Sequence, residues 1–258
     1  MDIGPLHLEL ELLLWAGFIL FGSLLIVFRS WWINLLGLLG EYLLLCVLLS
    51  WFPFVSPDLI IGPFAVSQIV LVKGITGVTI VAILAITIVL RRRLLKEDDE
   101  QSLDEITAAR LRWAVRRAAR RGEQERFNLA NYLLPIAALA VLVIVTHALA
   151  ILYPLVRTPT MPESSLWIYV ELVWYWLGLS GILIVLLAQE MQEVSVGLLL
   201  CIGSVDLLCL ALSRGEGLLA IGLLSAVSIL VALGTAYLAQ IFYLRLRRWQ
   251  LPAADDWE

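Results

Sequence analysis

Residues 65–93 read AVSQIVLVKGITGVTIVAILAITIVLRRR. Lys73 is the one charge before three arginines close the run. An apolar helix of about 20 residues crosses the ~30 Å hydrocarbon core of a bilayer. Arginines clustered at one end of such a run mark the side of the membrane that retains basic loops. This stretch therefore predicts a transmembrane helix over 65–90 and gives it a direction.

Six further apolar runs, at about 12–28, 32–52, 129–153, 166–188, 194–213 and 217–243, are predicted as spans by the same criterion. The expected fold is an all-α polytopic membrane protein of about seven transmembrane helices. Of the 258 residues, 61% are hydrophobic and 16% charged, a composition too apolar for a water-soluble domain of this size. The net charge of −4 says little, because the charges are unevenly placed along the chain. The start, Met1-Asp2-Ile3-Gly4-Pro5 with Glu9 and Glu11, lacks the basic region of a secretory signal, so the first run is expected to stay as a span.

Lysine and arginine orient the chain. Eleven of the 18 lie between Arg91 and Arg126, and with that segment in the cytoplasm Arg29, Arg245, Arg247 and Arg248 are cytoplasmic too. Arg157 and Arg214 are left outside, and Lys73 lies within a span. The amino terminus is then external and the carboxyl terminus cytoplasmic, in the plasma membrane of a prokaryote. The acidic loop 189–193 is an exception on the inner side. Within the basic segment, Ser102-Leu103-Asp104-Glu105 has the spacing of a capping box, and Gly122 follows Arg110 to Arg121 as a stop. Leu103, Ile106 and Trp113 with these arginines suit a helix lying at the headgroup layer. A partner subunit is the other candidate for that surface, and nucleic acid is not expected.

Span two carries Gly37-Leu38-Leu39-Gly40-Glu41-Tyr42, and span six carries Cys201-Ile202-Gly203-Ser204-Val205-Asp206. Each sets one carboxyl group behind small residues. Each is preceded by an apolar span and followed by a long span ending in basic residues. The pattern suggests two parallel three-helix repeats, with span four as the crossing that returns the chain to the outer side. The expected organisation is 1–93, first unit; 94–128, basic cytoplasmic segment; 129–153, linking span; 154–248, second unit; 249–258, cytoplasmic tail.

Charges within a bilayer cost several kcal/mol unless paired, wetted or neutralised, so each is a candidate for function. From helical rise, Glu41 lies about 14 Å and Asp206 about 18 Å from the inner ends of their helices, and Lys73 about 12 Å from the outer face. All three fall near the midplane on that reading. Lys73 can pair with Glu41, either statically or as part of proton or cation transfer. Asp206 has no basic counterpart in its own unit, because alignment of the basic tails sets Val227 opposite Lys73. It is either protonated or paired with Lys73 across the units. Glu171 and His147, both toward the outer side, are candidates for a mutual hydrogen bond or a proton access point.

Cys46, Cys201 and Cys209 lie in apolar runs without metal-ligand spacing and are read as packing residues. Neither His7 nor His147 sits in a cofactor motif, so no metal or cofactor is expected. The tryptophans at 31, 32, 51, 167, 174, 176 and 249 are read mostly as headgroup anchors. Gly197, Gly203 and Ser204 are expected to admit a neighbouring helix closely, and Pro135 to kink its span or mark its first turn.

The order of spans, with Gly40-Glu41-Tyr42-Leu43-Leu44 in the second and Gly62-Pro63-Phe64-Ala65-Val66-Ser67-Gln68-Ile69-Val70-Leu71 opening the third, resembles the K subunit of respiratory complex I and the C component of multisubunit sodium/proton antiporters. The part from about Trp167 to Arg248 looks like a diverged copy, and the whole resembles component E of membrane-bound hydrogenases. The resemblance implies a non-catalytic subunit of a proton- or cation-translocating assembly, with other membrane subunits as partners. It puts Glu41 and Asp206 in a chain of intramembrane charges. The family's second glutamate, on the third helix, is absent here, where Lys73 is the charge in that span. A structural subunit of another respiratory or photosynthetic complex and a stand-alone secondary transporter are the alternatives.

Overall fold

The computed structural model describes residues 4–28, 30–51, 59–61, 64–101, 129–156, 166–188, 190–213 and 218–250. The surface helix expected within 102–122 lies outside the described residues, as does the tail from 251. Seven helices are present among the described residues: α1 (Gly4–Val27), α2 (Trp31–Ser50), α3 (Gln68–Gln101), α4 (Leu129–Leu152), α5 (Leu166–Leu187), α6 (Met191–Leu212) and α7 (Leu218–Gln250). Six contain stretches long and apolar enough to cross a membrane, and the apolar part of α1, Glu11–Val27, is shorter. Helices are the form such spans take, because a segment in hydrocarbon must satisfy its own backbone hydrogen bonds.

Several helices run past their apolar stretches. The helix α3 continues to Gln101 and α7 to Gln250, well beyond 90 and 243, and α1 begins at Gly4 rather than at 12. Leucine, arginine, lysine and glutamate dominate these extensions, and all four are good helix formers. The start of α3 moves the other way. Two short strands, β1 (Leu59–Ile61) and β2 (Phe64–Val66), pair antiparallel with Ile60 opposite Ala65. The helix therefore begins only at Gln68, where the hydroxyl of Ser67 accepts the Ile69 N–H at 3.3 Å and satisfies one of the first-turn donors. The helix α6 gains a turn because Glu193 folds back to accept the Glu190 N–H at 3.5 Å, so Met191-Gln192-Glu193 is helix rather than loop.

The packing closes six helices into a ring in the order α1, α2, α3, α7, α6, α5, and α4 lies outside it against α1 and α5. The ring is two rows of three, α1-α2-α3 and α5-α6-α7, laid side by side with α1 against α5 and α3 against α7. Phe18, Leu38, Leu48, Ile80, Trp176, Leu199 and Leu207 fill the seam. The outside is leucine, isoleucine and valine, among them Leu13, Ile151, Leu186 and Leu219. So large an apolar exterior fits lipid and not water, and the chain is a polytopic helical membrane protein.

Small residues set the closest approach. A methyl group on Gly181 of α5 would lie 2.6 Å from the backbone oxygen of Gly197 on α6, so the two backbones touch there. Gly203, expected to serve the same purpose, faces open space, while Ser204 donates to the Trp174 carbonyl at 2.7 Å. Pro135 is the seventh residue of α4, past its first turn.

Candidate functional site

The ring encloses a set of buried polar groups. Lys73 on α3 forms an ion pair with Asp206 on α6 and donates a second hydrogen bond to Ser225 Oγ on α7 at 2.8 Å. All three residues are buried. Of the two pairings open to Lys73, the structure makes the one between the rows.

Depth separates this cluster from Glu41. Lys73 is five residues into α3 and Asp206 six residues from the end of α6, so the pair lies about 8–9 Å from that end of the bundle. Glu41, ten residues into the 20-residue α2, is about 15 Å from its start. Only Glu41 is central. The expected single midplane level for all three resolves into two, because α3 starts later and α6 earlier than their apolar patterns indicate.

Glu41 is 2% exposed, and neither carboxyl oxygen has a hydrogen-bond partner among the described residues. The Trp176 indole borders it, but that N–H goes to the Phe18 backbone carbonyl at 3.1 Å. Its neighbour Tyr42 points elsewhere, because adjacent helical residues diverge by about 100°. Tyr42 packs against Gly77 of α3, where a methyl group would meet its Cβ at 2.7 Å, and lies within electrostatic reach of Asp206. Cys46, also near Lys73, is a packing residue whose thiol approaches the Val70 carbonyl at 3.7 Å.

Glu171 and His147 find separate partners. The Glu171 carboxylate, buried in α5, accepts the backbone N–H of Val156 and the indole N–H of Trp174. It thereby ties the segment after α4 to α5, and Tyr175 adds a bond to the Tyr153 carbonyl at 2.8 Å. The His147 Nδ1 is 2.9 Å from the Val143 carbonyl, and its ring stands edge-on to Trp15 at 5.6 Å. Trp15 meets Trp176 at 5.8 Å, so two indoles lie between His147 and Glu41. Glu11, which the sequence placed in an external acidic start, is buried in α1 within electrostatic reach of Tyr169.

Sequence reasoning missed Ser225 and Trp176. The alignment of basic tails singled out Val227, which is 45% exposed and faces outward. Two positions along a helix is about 200°, so Ser225 faces the seam instead. Trp176, read as an anchor, is wholly buried at mid-helix.

Chemically, the core holds an ion pair in which Asp206 Oδ1 has no hydrogen-bond partner among the described residues, a hydrogen-bonded carboxylate at Glu171, and Glu41, to which none of the described residues supplies a counter-ion. No group of three or more His, Cys, Asp or Glu residues able to hold a metal occurs among the described residues. No family model, curated protein or solved structure matches the chain.

Proposed function

We propose that this chain is an accessory, non-catalytic membrane subunit of a proton- or cation-translocating assembly of the complex I, membrane-bound hydrogenase or multisubunit antiporter kind. In this reading Glu41 takes up and returns a proton. The observation that carries it is the division of charges in the core. Lys73 is committed to Asp206 and Ser225, and the Glu171 oxygens hold backbone and indole N–H groups. Glu41 is buried without such support among the described residues. An unpaired carboxylate in oil costs several kcal/mol, so a buried carboxyl without a fixed partner is the group with which an approaching proton or charge can engage. That behaviour suits a relay. The Lys73–Asp206 pair and Glu171 hold helices together.

In this reading the basic ends of α3 and α7 face the cytoplasm of a prokaryote, the amino terminus is outside, and antiporter-like membrane subunits flank the bundle. Reporter fusions after Arg93 and at the tail are expected to read cytoplasmic, and a periplasmic signal at either reverses the orientation.

Glu41→Gln keeps the shape and removes the exchangeable proton. The assembly carrying it is expected to form in normal amount and lose ion translocation by about tenfold or more, the equivalent of ~1.4 kcal/mol on the transfer barrier. Normal assembly with unchanged translocation would instead leave a structural subunit. Purification as a monomer with substrate-dependent uptake in liposomes would make it a transporter in its own right.

A further inference from the structure

We infer that the Trp176 indole is a two-position donor: it gives its N–H to the Phe18 carbonyl while Glu41 is neutral and to the Glu41 carboxylate while that group is charged. Trp176 is ten residues into the 22-residue α5 and Glu41 ten into the 20-residue α2, so each lies about 15 Å from the start of its helix. The helix α1 meets both at one level. A methyl group on Gly40, the neighbour of Glu41, would overlap the Phe21 ring, and one on Gly22 would lie 2.7 Å from Trp176 Nε1. The wholly buried indole borders the Glu41 carboxyl, yet its N–H is 3.1 Å from the Phe18 carbonyl.

The two acceptors rank differently according to charge. Phe18 lies inside α1, where its carbonyl accepts the Gly22 N–H along the helix, and its second lone pair holds the indole. Losing the indole therefore strands no group on α1. A hydrogen bond to a carboxylate is roughly twice as strong as one between neutral groups, and a low-dielectric core strengthens it further. Neutral Glu41 leaves the N–H on Phe18. Charged Glu41, buried and without a hydrogen-bond partner among the described residues, draws it across.

The bond to Phe18 ties α5 to α1, so charge on Glu41 also releases one tie at that edge of the ring. Gly22 leaves room for the edge of the indole beside α1, and Trp15 packs edge-on against the ring at 5.8 Å. Trp176 is thus a positioning residue for the charge on Glu41. This inference rests on Glu41 being the exchanging group and adds the donor that meets its charged form.

The test uses the full-length protein in liposomes, with ultraviolet resonance Raman spectra of the indoles and infrared spectra of the carboxylates taken at acid and alkaline pH. In the wild type an indole N–H band is expected to move toward stronger hydrogen bonding as the Glu41 carboxylate band, the one absent from Glu41→Gln, appears. That movement is expected to vanish in Glu41→Gln and in Trp176→Phe. Other titratable groups of the core are sorted by the same control: Lys73 pairs with Asp206, near Tyr42 and Cys46, Glu11 is within reach of Tyr169, and His147 stands against Trp15. Trp174, bonded to Glu171, can respond to pH on its own, and its response survives Glu41→Gln. A Glu41 carboxylate that forms with no indole movement overturns the inference, as does a movement that persists in Trp176→Phe. A carboxylate band that forms at no pH overturns it too. Should Trp176→Phe not fold, Gly22→Ala, whose methyl group displaces the N–H edge of the ring, is expected to abolish the movement, and an unchanged movement overturns the inference. The relay reading fails separately, when Glu41→Gln leaves translocation intact although the indole moves in the wild type.

Discussion

Lys73→Met is expected to destabilise the bundle by about 3–5 kcal/mol, the usual cost of stranding one partner of a buried ion pair. The lost contacts include Ser225 as well as Asp206, so the variant uncouples α3 from both α6 and α7. The effect is read as a lower thermal midpoint of the detergent-solubilised protein. Asp206→Asn is expected to cost less. Lys73 lies about 8 Å from the end of its helix, within reach of the interface for a flexible lysine stem, whereas the short Asp206 side chain has no such escape. Lys73→Met combined with Asp206→Leu is expected to recover most of the loss, since two apolar groups replace a desolvated pair at little net cost. A Lys73→Met protein as stable as the wild type would mean that Asp206 is neutral in the bundle and that the pair contributes nothing to holding the rows together.

The second large effect belongs to the α5–α6 crossing, the most extensive helix contact among the described residues. At Gly181 an added methyl group meets the Gly197 carbonyl at 2.6 Å and the Cys201 backbone nitrogen at 2.9 Å, and at Gly197 it meets the Gly181 carbonyl at 2.7 Å. Backbone atoms cannot rotate aside. Alanine at either site is expected to cost about 1–3 kcal/mol through forced separation of the helices. Leucine is expected to prevent stable packing, seen as loss of monodisperse protein after solubilisation. Gly203→Ala on the same helix is the control, expected to be neutral because its methyl group enters open space. Equal behaviour of Gly203→Ala and Gly197→Ala would refute the close crossing. Ser204 lies two turns further along the same helix pair, where its Oγ is 2.9 Å from a methyl group placed on Gly178 and its hydroxyl donates to the Trp174 carbonyl at 2.7 Å.

These two contacts show why the sequence was legible only in part. Glu41, Lys73 and Asp206 stand out because a charge in an apolar run is costly wherever it points. Their pairing does not stand out. Lys73 meets Asp206, 133 residues away, because α3 and α6 flank α7 and their side chains reach each other diagonally between the rows, and Ser225 joins them from α7 itself. A serine in a transmembrane helix is too common to flag. Trp176 was misread for a related reason: an indole at a span end anchors in headgroups, but in mid-helix it fills the seam and gives its N–H to the Phe18 carbonyl. Glu11, in the acidic start that the lysine and arginine bias puts outside, is buried within electrostatic reach of Tyr169 on α5, a contact that its own helix does not announce.

Amino-acid order alone determined that the described residues contain seven largely apolar helices and which residues carry charge within them. Each of those follows from transferring a local segment into hydrocarbon, which depends on neighbours within one helix. Tertiary structure alone decided where helices begin, which carboxyl receives the lysine and which is left bare. Those outcomes depend on rotation and depth within the ring, and a shift of two residues turns a side chain from the seam to the lipid.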